Sequence, residues 1–176
     1  MNELYEKTIK TTEIYKGKVF TITKDDVELS DGYKTIREVV HHNGGVVIVA
    51  EKDNQIALVR QFRYPTGEIL YELPAGKLDK PNEEILSAAK RELEEETGHV
   101  ANKWLPLGFI WTSPGFCSEK LYLFKANELT KTKQHLDIGE ILDYILVDKE
   151  EVFAMVKDGR INDSKSIAAL MRAYKL

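Results

Sequence analysis

The chain has 176 residues, 43% of them apolar, with a formal net charge of -4 at pH 7, a composition that suits one compact domain with a real core. The acidic balance and a sequence pI near 5.7 leave no electrostatic footprint for nucleic acid, and no apolar run approaches the ~18 residues a membrane span needs. The single cysteine, Cys117, excludes an internal disulfide and fits a reducing cytoplasm, and the opening MNELYEKTIK has no apolar leader.

Residues 1–42 read as strands, around Lys7 to Tyr15, Val19 to Leu29 and Thr35 to His42, with Ser30-Asp31-Gly32 turning a hairpin. Such segments make a small antiparallel sheet. It either packs against a second subunit, as a dimerisation region, or is a sheet edge folded only on its own domain. The remainder, residues 43–176, is the main domain. It opens at Gly44-Gly45, with two β-branched runs, Val46 to Ala50 and Gln55 to Phe62, around the turn Lys52-Asp53-Asn54; these read as paired strands in a buried sheet. Arg60 and Arg63 then point to opposite faces of the second strand.

The stretch Leu73 to Val100, LPAGKLDKPNEEILSAAKRELEEETGHV, organises the rest. A glycine turn at Gly76 leads through a polar loop into an amphipathic helix that stops at Gly98. At 100° per residue, Ile85, Leu86, Ala89 and Leu93 share one stripe, and Arg91 and Glu94 fall opposite as solvated positions. Glu96 projects among the apolar residues, Glu92 borders the stripe and Glu95 flanks Glu92. Three carboxylates thus occupy the last turns, where the helix dipole opposes each by ~0.3–1 kcal/mol. Helix stability does not ask for this. A hard divalent cation does, because Mg²⁺ takes one or two carboxylates together with waters and phosphate oxygens. Arg91 is the expected structural partner, within helical reach of Glu94 and Glu95.

The stretch resembles the signature of the Nudix hydrolases. Glu83, seven residues, then Arg91, Glu92, Leu93, Glu95, Glu96 and Gly98 fall in register. Two departures stand out: the loop Lys77 to Asn82 is one residue longer than the pattern, and His99 stands where an apolar residue is usual. A loop holding Pro81 absorbs one more residue at small cost.

Beyond the helix, Trp104 to Trp111, Leu121 to Ala126 and Ile141 to Val147 read as strands. Glu150 to Lys157 reads as a helix stopped by Gly159, and Asn162-Asp163-Ser164 caps a final helix, Ile167 to Tyr174. In that helix Ile167, Leu170, Met171 and Tyr174 follow core spacing.

The resemblance implies a Nudix-type α/β/α sandwich with a mixed β-sheet, to which the N-terminal antiparallel sheet is added. Within the family, the ADP-ribose pyrophosphatases are the more similar group, because Pro114 of Ser113-Pro114-Gly115 follows Gly98 by 16 residues. That likeness implies hydrolysis of a nucleoside diphosphate linked to another moiety, ADP-ribose to AMP and ribose 5-phosphate in the first instance. The alternatives are a nucleotide-sugar pyrophosphatase of the same family and a catalytically silent module that senses a ligand. The metal ligands implied are the Ala75 carbonyl, Glu92, Glu95, Glu96 and Glu140, holding Mg²⁺ with Mn²⁺ as the other candidate ion. The catalytic residues implied are Glu92, Glu95, Glu96 and Glu140, and the substrate-binding ones are Arg37, Glu38, Arg63, Ser113, Pro114, Gly115 and Glu119. In the loop Gln134 to Glu140, Asp137 and Glu140 keep the outer members of an acidic cluster whose middle pair is replaced by Ile138 and Gly139. Glu140 or Asp137 then serves as base, or the metals and Glu95 activate water without one. Tyr15 or Phe20 is a candidate to stack on the base, and the resemblance also implies a homodimer.

Overall fold

A computed structural model describes residues 4–175, and the chain divides into two compact units, Met1–Gly44 with Trp111–Lys120, and Gly45–Ile110 with Leu121–Leu176.

The first unit is built on β1 (Lys7–Lys16), β2 (Phe20–Glu28) and β3 (Lys34–His42), an antiparallel sheet in sequence order. The turn after β2 forms as its residues dictate: Gly32 takes a left-handed φ and the Asp31 carboxylate accepts the Tyr33 N–H at 2.9 Å. The ladder pairs Lys24 with Glu38 and Asp25 with Arg37. Little of this sheet is buried. Thr23 and Val27 are the deepest positions and β1 is exposed along its whole length. The Trp111–Lys120 segment is tied to β3 by backbone bonds from Val40 N–H to the Phe116 carbonyl (2.8 Å) and from Ser118 N–H to the Val40 carbonyl (2.9 Å).

The second unit follows in the order β4 (Gly45–Lys52), β5 (Gln55–Arg63), β6 (Glu68–Glu72), β7 (Ala75–Lys77), α1 (Ile85–Thr97), β8 (His99–Trp111), β9 (Lys120–Lys131), β10 (Leu142–Asp148), α2 (Lys149–Lys157) and α3 (Ser164–Tyr174). Its sheet is mixed, because β4 runs parallel to β9 and antiparallel to β5 and β7. The alternation of β4 divides the core. Val47 and Val49 face Val152, Met155, Ala169 and Leu170 of α2 and α3, whereas Val46, Ile48 and Ala50 face Ala88, Ala89 and Leu93 of α1. Two apolar layers on opposite sheet faces make the α/β/α sandwich that the Nudix resemblance implied.

Several local expectations are corrected. The chain from Glu68 to Lys77 is not a mere connector but two short strands, and β8 starts at His99, five residues before Trp104. On α1 the buried apolar stripe runs through Ala88, Ala89 and Leu93, while Leu86 is half exposed at the rim. On α3 Leu170 is buried but Met171 faces outward. His99 fills its unusual place as a core residue would: it is buried, its Nδ1 lies 3.0 Å from the Thr97 carbonyl and its ring meets the edge of Tyr144. The longer loop before α1 is taken up by Asn82, which adopts a left-handed φ that asparagine tolerates.

Candidate active site

The site in the second unit begins with two close approaches that only glycine permits. A Cβ on Gly76 would stand 1.8 Å from the Glu92 carboxylate carbon, so the bare backbone of β7 is what lets Glu92 lie against it. At the other end of α1, Gly98 turns with φ 61° and caps the helix, donating its N–H to the Glu94 carbonyl. The loop after β9 then takes the free carbonyls of the last helical turn. Gln134 Nε2 donates to the Glu96 carbonyl at 2.6 Å and His135 N–H to the Glu95 carbonyl at 3.1 Å. This docking holds the loop that carries Glu140 on the acidic end of α1.

Glu96 is 3% exposed, and one of its carboxylate oxygens accepts the Ala75 N–H at 3.0 Å. Burial pushes it well above the usual carboxylate range against the pull of that hydrogen bond, and the charges of Glu140 and Glu92 push the same way. Glu92 is pushed up to about 7, first by burial, with Arg91 opposing and Glu95 and Glu140 adding repulsion. The electrostatic fields of Glu92, Glu96 and Glu140 therefore meet in one place.

Arg91 is not the solvated residue that helical spacing suggests. Its guanidinium is the hub of the acidic face, with Nε and Nη2 on Glu83 at 2.9 and 3.0 Å, and Nη1 on Glu92 at 2.6 Å and Glu95 at 2.7 Å. One cation thus gathers three carboxylates, of which Glu92 and Glu95 sit in the half of the helix whose dipole disfavours them. Among the described residues no three His, Cys, Asp or Glu side chains are gathered as a ready cage. The donor set nevertheless fits a hard cation, since buried carboxylates that repel one another, next to a strand carbonyl at Ala75, are the all-oxygen surroundings such an ion takes.

Arg63 ends β5 and forks onto Glu72, Nε to Oε1 at 2.7 Å and Nη2 to Oε2 at 2.6 Å, within the electrostatic reach of Glu96. The partner carboxylate Glu72 and its second cation, Lys165, escaped the sequence reading. Their signal was absent, because nothing along the chain links residues 93 positions apart. Arg60 instead pairs with Asp143 at the exposed edge strand. Glu140 donates its N–H to Asp137 in a turn whose tip, Ile138 and Gly139, lies in solvent.

The other expected residues belong to the first unit. Arg37, on β3, pairs with Glu6 at 2.6 Å, and Glu38 beside it is exposed. Ser113, Pro114 and Gly115 form a turn closed by Phe116 and Cys117 N–H groups on the Ser113 carbonyl, and Glu119 lies 3.4 Å from His42 Nδ1. Tyr15 and Phe20 are both partly exposed, with ring centroids 5.8 Å apart.

This arrangement coincides with similarity along almost the whole chain. Residues 40–170 match the NUDIX domain and residues 6–40 the nucleoside diphosphate sugar hydrolase N-terminal domain. The chain belongs to the Nudix family. It is 40% identical over 173 residues to an ADP-ribose pyrophosphatase of Bacillus subtilis (strain 168), spanning 97% of this chain and 93% of that one. It is 41% identical over 174 residues to a methanol dehydrogenase activator of Bacillus methanolicus, spanning 97% and 94%. A crystal structure of an ADP compounds hydrolase shares the fold, with a TM-score of 0.87 at 24% identity over 97% of this chain and 92% of that one.

Proposed function

We propose that this protein is a Nudix pyrophosphohydrolase that splits the diphosphate of a nucleoside diphosphate joined to another moiety, with ADP-ribose, cleaved to AMP and ribose 5-phosphate, as its substrate. The observation that carries this reading is that buried Glu96 accepts the Ala75 N–H while the half-buried Glu92 carboxylate lies against Gly76 of the same strand, with the repulsion of Glu140 felt by both. A buried anionic cluster facing a cation is suited to a divalent ion and a diphosphate together.

The Ala75 carbonyl with Glu92, Glu95, Glu96 and Glu140 would hold Mg²⁺ or Mn²⁺, which supplies charge neutralisation of the diphosphate and a lowered pKa for a bound water. Arg91 holds Glu92 and Glu95 in place from the far side. Glu140, on a loop bonded to the helix end through Gln134 and His135, is the residue assigned to accept the proton of the attacking water, with Asp137, or the metals and Glu95, as the alternatives to it. Arg63 receives phosphate oxygens, the geometry that a planar guanidinium favours. Recognition of the group beyond the diphosphate is assigned to Arg37, Glu38, Ser113, Pro114, Gly115 and Glu119. Tyr15 and Phe20, exposed and adjacent, offer rings for the base.

We assign the protein to the cytoplasm and to a homodimer. The fully exposed β1, with Ile9, Ile14 and Tyr15 each at least half in solvent, gives a second copy an apolar sheet to cover. Among the described residues no helix is long and apolar enough to cross a membrane.

Turnover of ADP-ribose, ADP-glucose, GDP-mannose, NADH, diadenosine polyphosphates and dGTP, followed by product chromatography with Mg²⁺ and with chelator, tests this. ADP-ribose is expected to dominate and chelation to abolish turnover. Preferred cleavage of a nucleotide sugar would favour the reading suggested by the match at residues 6–40. The name of the Bacillus methanolicus relative motivates another reading, a module that acts on a second enzyme. Absence of turnover with both metals would select it.

A further inference from the structure

Glu72 is as deeply buried as Glu96, at 1% exposure, yet it lies outside the acidic helix and carries two cations. Arg63 forks onto it from β5, and Lys165, in the first turn of α3, donates to the same Oε2 and also to Asp163 Oδ2 at 2.9 Å. Burial works against the charge on Glu72, but Arg63 and Lys165 outweigh it and hold the group below the usual carboxylate range. The same helix end fixes the next residue along. Ser166 Oγ accepts the Leu73 N–H at 2.7 Å while donating to Asp163 at 2.5 Å, two residues before the Ala75 carbonyl.

Lys165 is shared between Glu72 and Asp163, whereas the fork of Arg63 rests on Glu72 alone. Asp163 is occupied as the cap of α3, accepting the Ser166 N–H and Oγ–H. Arg63 and Lys165 are matched in charge by Glu72 and Asp163, and within this neutral group Lys165 and Glu72 together hold Arg63 from one side. The fork uses only the Nε and Nη2 edge of the guanidinium; Nη1 enters no hydrogen bond found among the described residues, and the Arg63 side chain is 38% exposed. A guanidinium held by one edge presents the other for two oxygens of a phosphate.

We propose that Glu72 and Lys165 are positioning residues that clamp one edge of Arg63, so that its free edge meets the substrate diphosphate; this rests on the reading of Arg63 as a substrate-binding residue. Lys165 acts only through Glu72, which makes its effect conditional on Arg63. A lysine that merely stabilised the fold would show no such dependence.

The test is a double-mutant cycle of Lys165→Met and Arg63→Ala, read by calorimetric titration of ADP-ribose with chelator present, where no turnover occurs, and by KM and kcat with Mg²⁺. Lys165→Met is expected to weaken Kd and raise KM about tenfold with kcat within about twofold, to do nothing further in the Arg63→Ala background, and to be largely rescued by Lys165→Arg. In ¹H–¹⁵N spectra the Arg63 Nε–H, slow to exchange in the parent protein, should become fast-exchanging in Lys165→Met without any ligand. If Lys165→Met does not fold, Lys165→Gln, which keeps a donor for Glu72, takes its place in the cycle. Equal losses in both backgrounds, or none in either, overturn the clamp while leaving the functional reading intact. A parent protein that binds no ADP-ribose overturns both.

Discussion

The two units of this chain hold their charged residues in opposite ways. In the second, Glu96 and Glu72 are buried and each is held by specific donors, and Arg91 gathers three carboxylates at 2.6–3.0 Å. In the first, Arg37 and Glu38 stand on a sheet that buries little more than Thr23 and Val27, and the Arg37 pair with Glu6 is largely in water. A carboxylate held in a core is preorganised for chemistry, whereas a charge on an exposed strand is free to adapt to whatever it meets. The first kind of site should be intolerant and the second forgiving, and substitutions can be chosen to strain that distinction.

The largest effect is expected from Glu96→Gln, which keeps the volume and an acceptor for the Ala75 N–H but removes the buried charge. AMP release from ADP-ribose should fall by about 10²–10⁴-fold with the melting curve unchanged or raised, and retention of full activity would remove Glu96 from the reaction. Next comes Gly76→Ala. Its Cβ would push the Glu92 carboxylate aside, and because the end of a side chain moves where a backbone cannot, turnover should fall while denaturant unfolding loses no more than about 1 kcal/mol.

The pH dependence of stability separates two carboxyls within the second unit. A carboxyl whose value is raised in the fold holds its proton more tightly there than in the unfolded chain. Its contribution is therefore most favourable below about 4.5 and declines as pH rises to about 7, the range over which Glu92 titrates. Without divalent metal, stability should fall across that window by about 1–3 kcal/mol, and Glu92→Gln should flatten the slope. Glu72, lowered instead, acts in the opposite sense, and its contribution is lost as pH drops below the ordinary glutamate value. The smallest effect belongs to the exposed sheet: Arg37→Ala should raise KM for ADP-ribose about tenfold and leave the melting temperature where it was. A drop in melting temperature with KM unchanged would mean that Arg37 serves the fold and not the substrate.

The residues of α1 show how far linear order reaches. Glu92, Glu95, Glu96 and Gly98 could be placed from 3.6-residue periodicity and a fixed spacing because all of that information is local to one helix. The α/β/α layering was legible only through the resemblance that the helix signature carries, since apolar runs and caps say which elements need cover but not what covers them. Periodicity failed where neighbours came from elsewhere. It found the Arg91–Glu95 pair but otherwise put Arg91 in solvent, since Glu83, just before the helix begins, was not on its helical wheel. It also left Leu86 in the stripe, because the wheel does not know where the sheet ends.

By itself, then, the sequence determined the longer strands and the helices of the main domain, the family signature and the identity of the acidic helix, all of which are encoded in short-range spacing, while the short strands β6 and β7 escaped it. Only the tertiary structure decided that Gly76 is needed for the Glu92 side chain, that the loop of residues 134–140 docks on the helix carbonyls, and that Arg63 shares Glu72 with Lys165. Those contacts join residues 9 to 93 positions apart, and close packing, not sequence pattern, selects which distant groups meet.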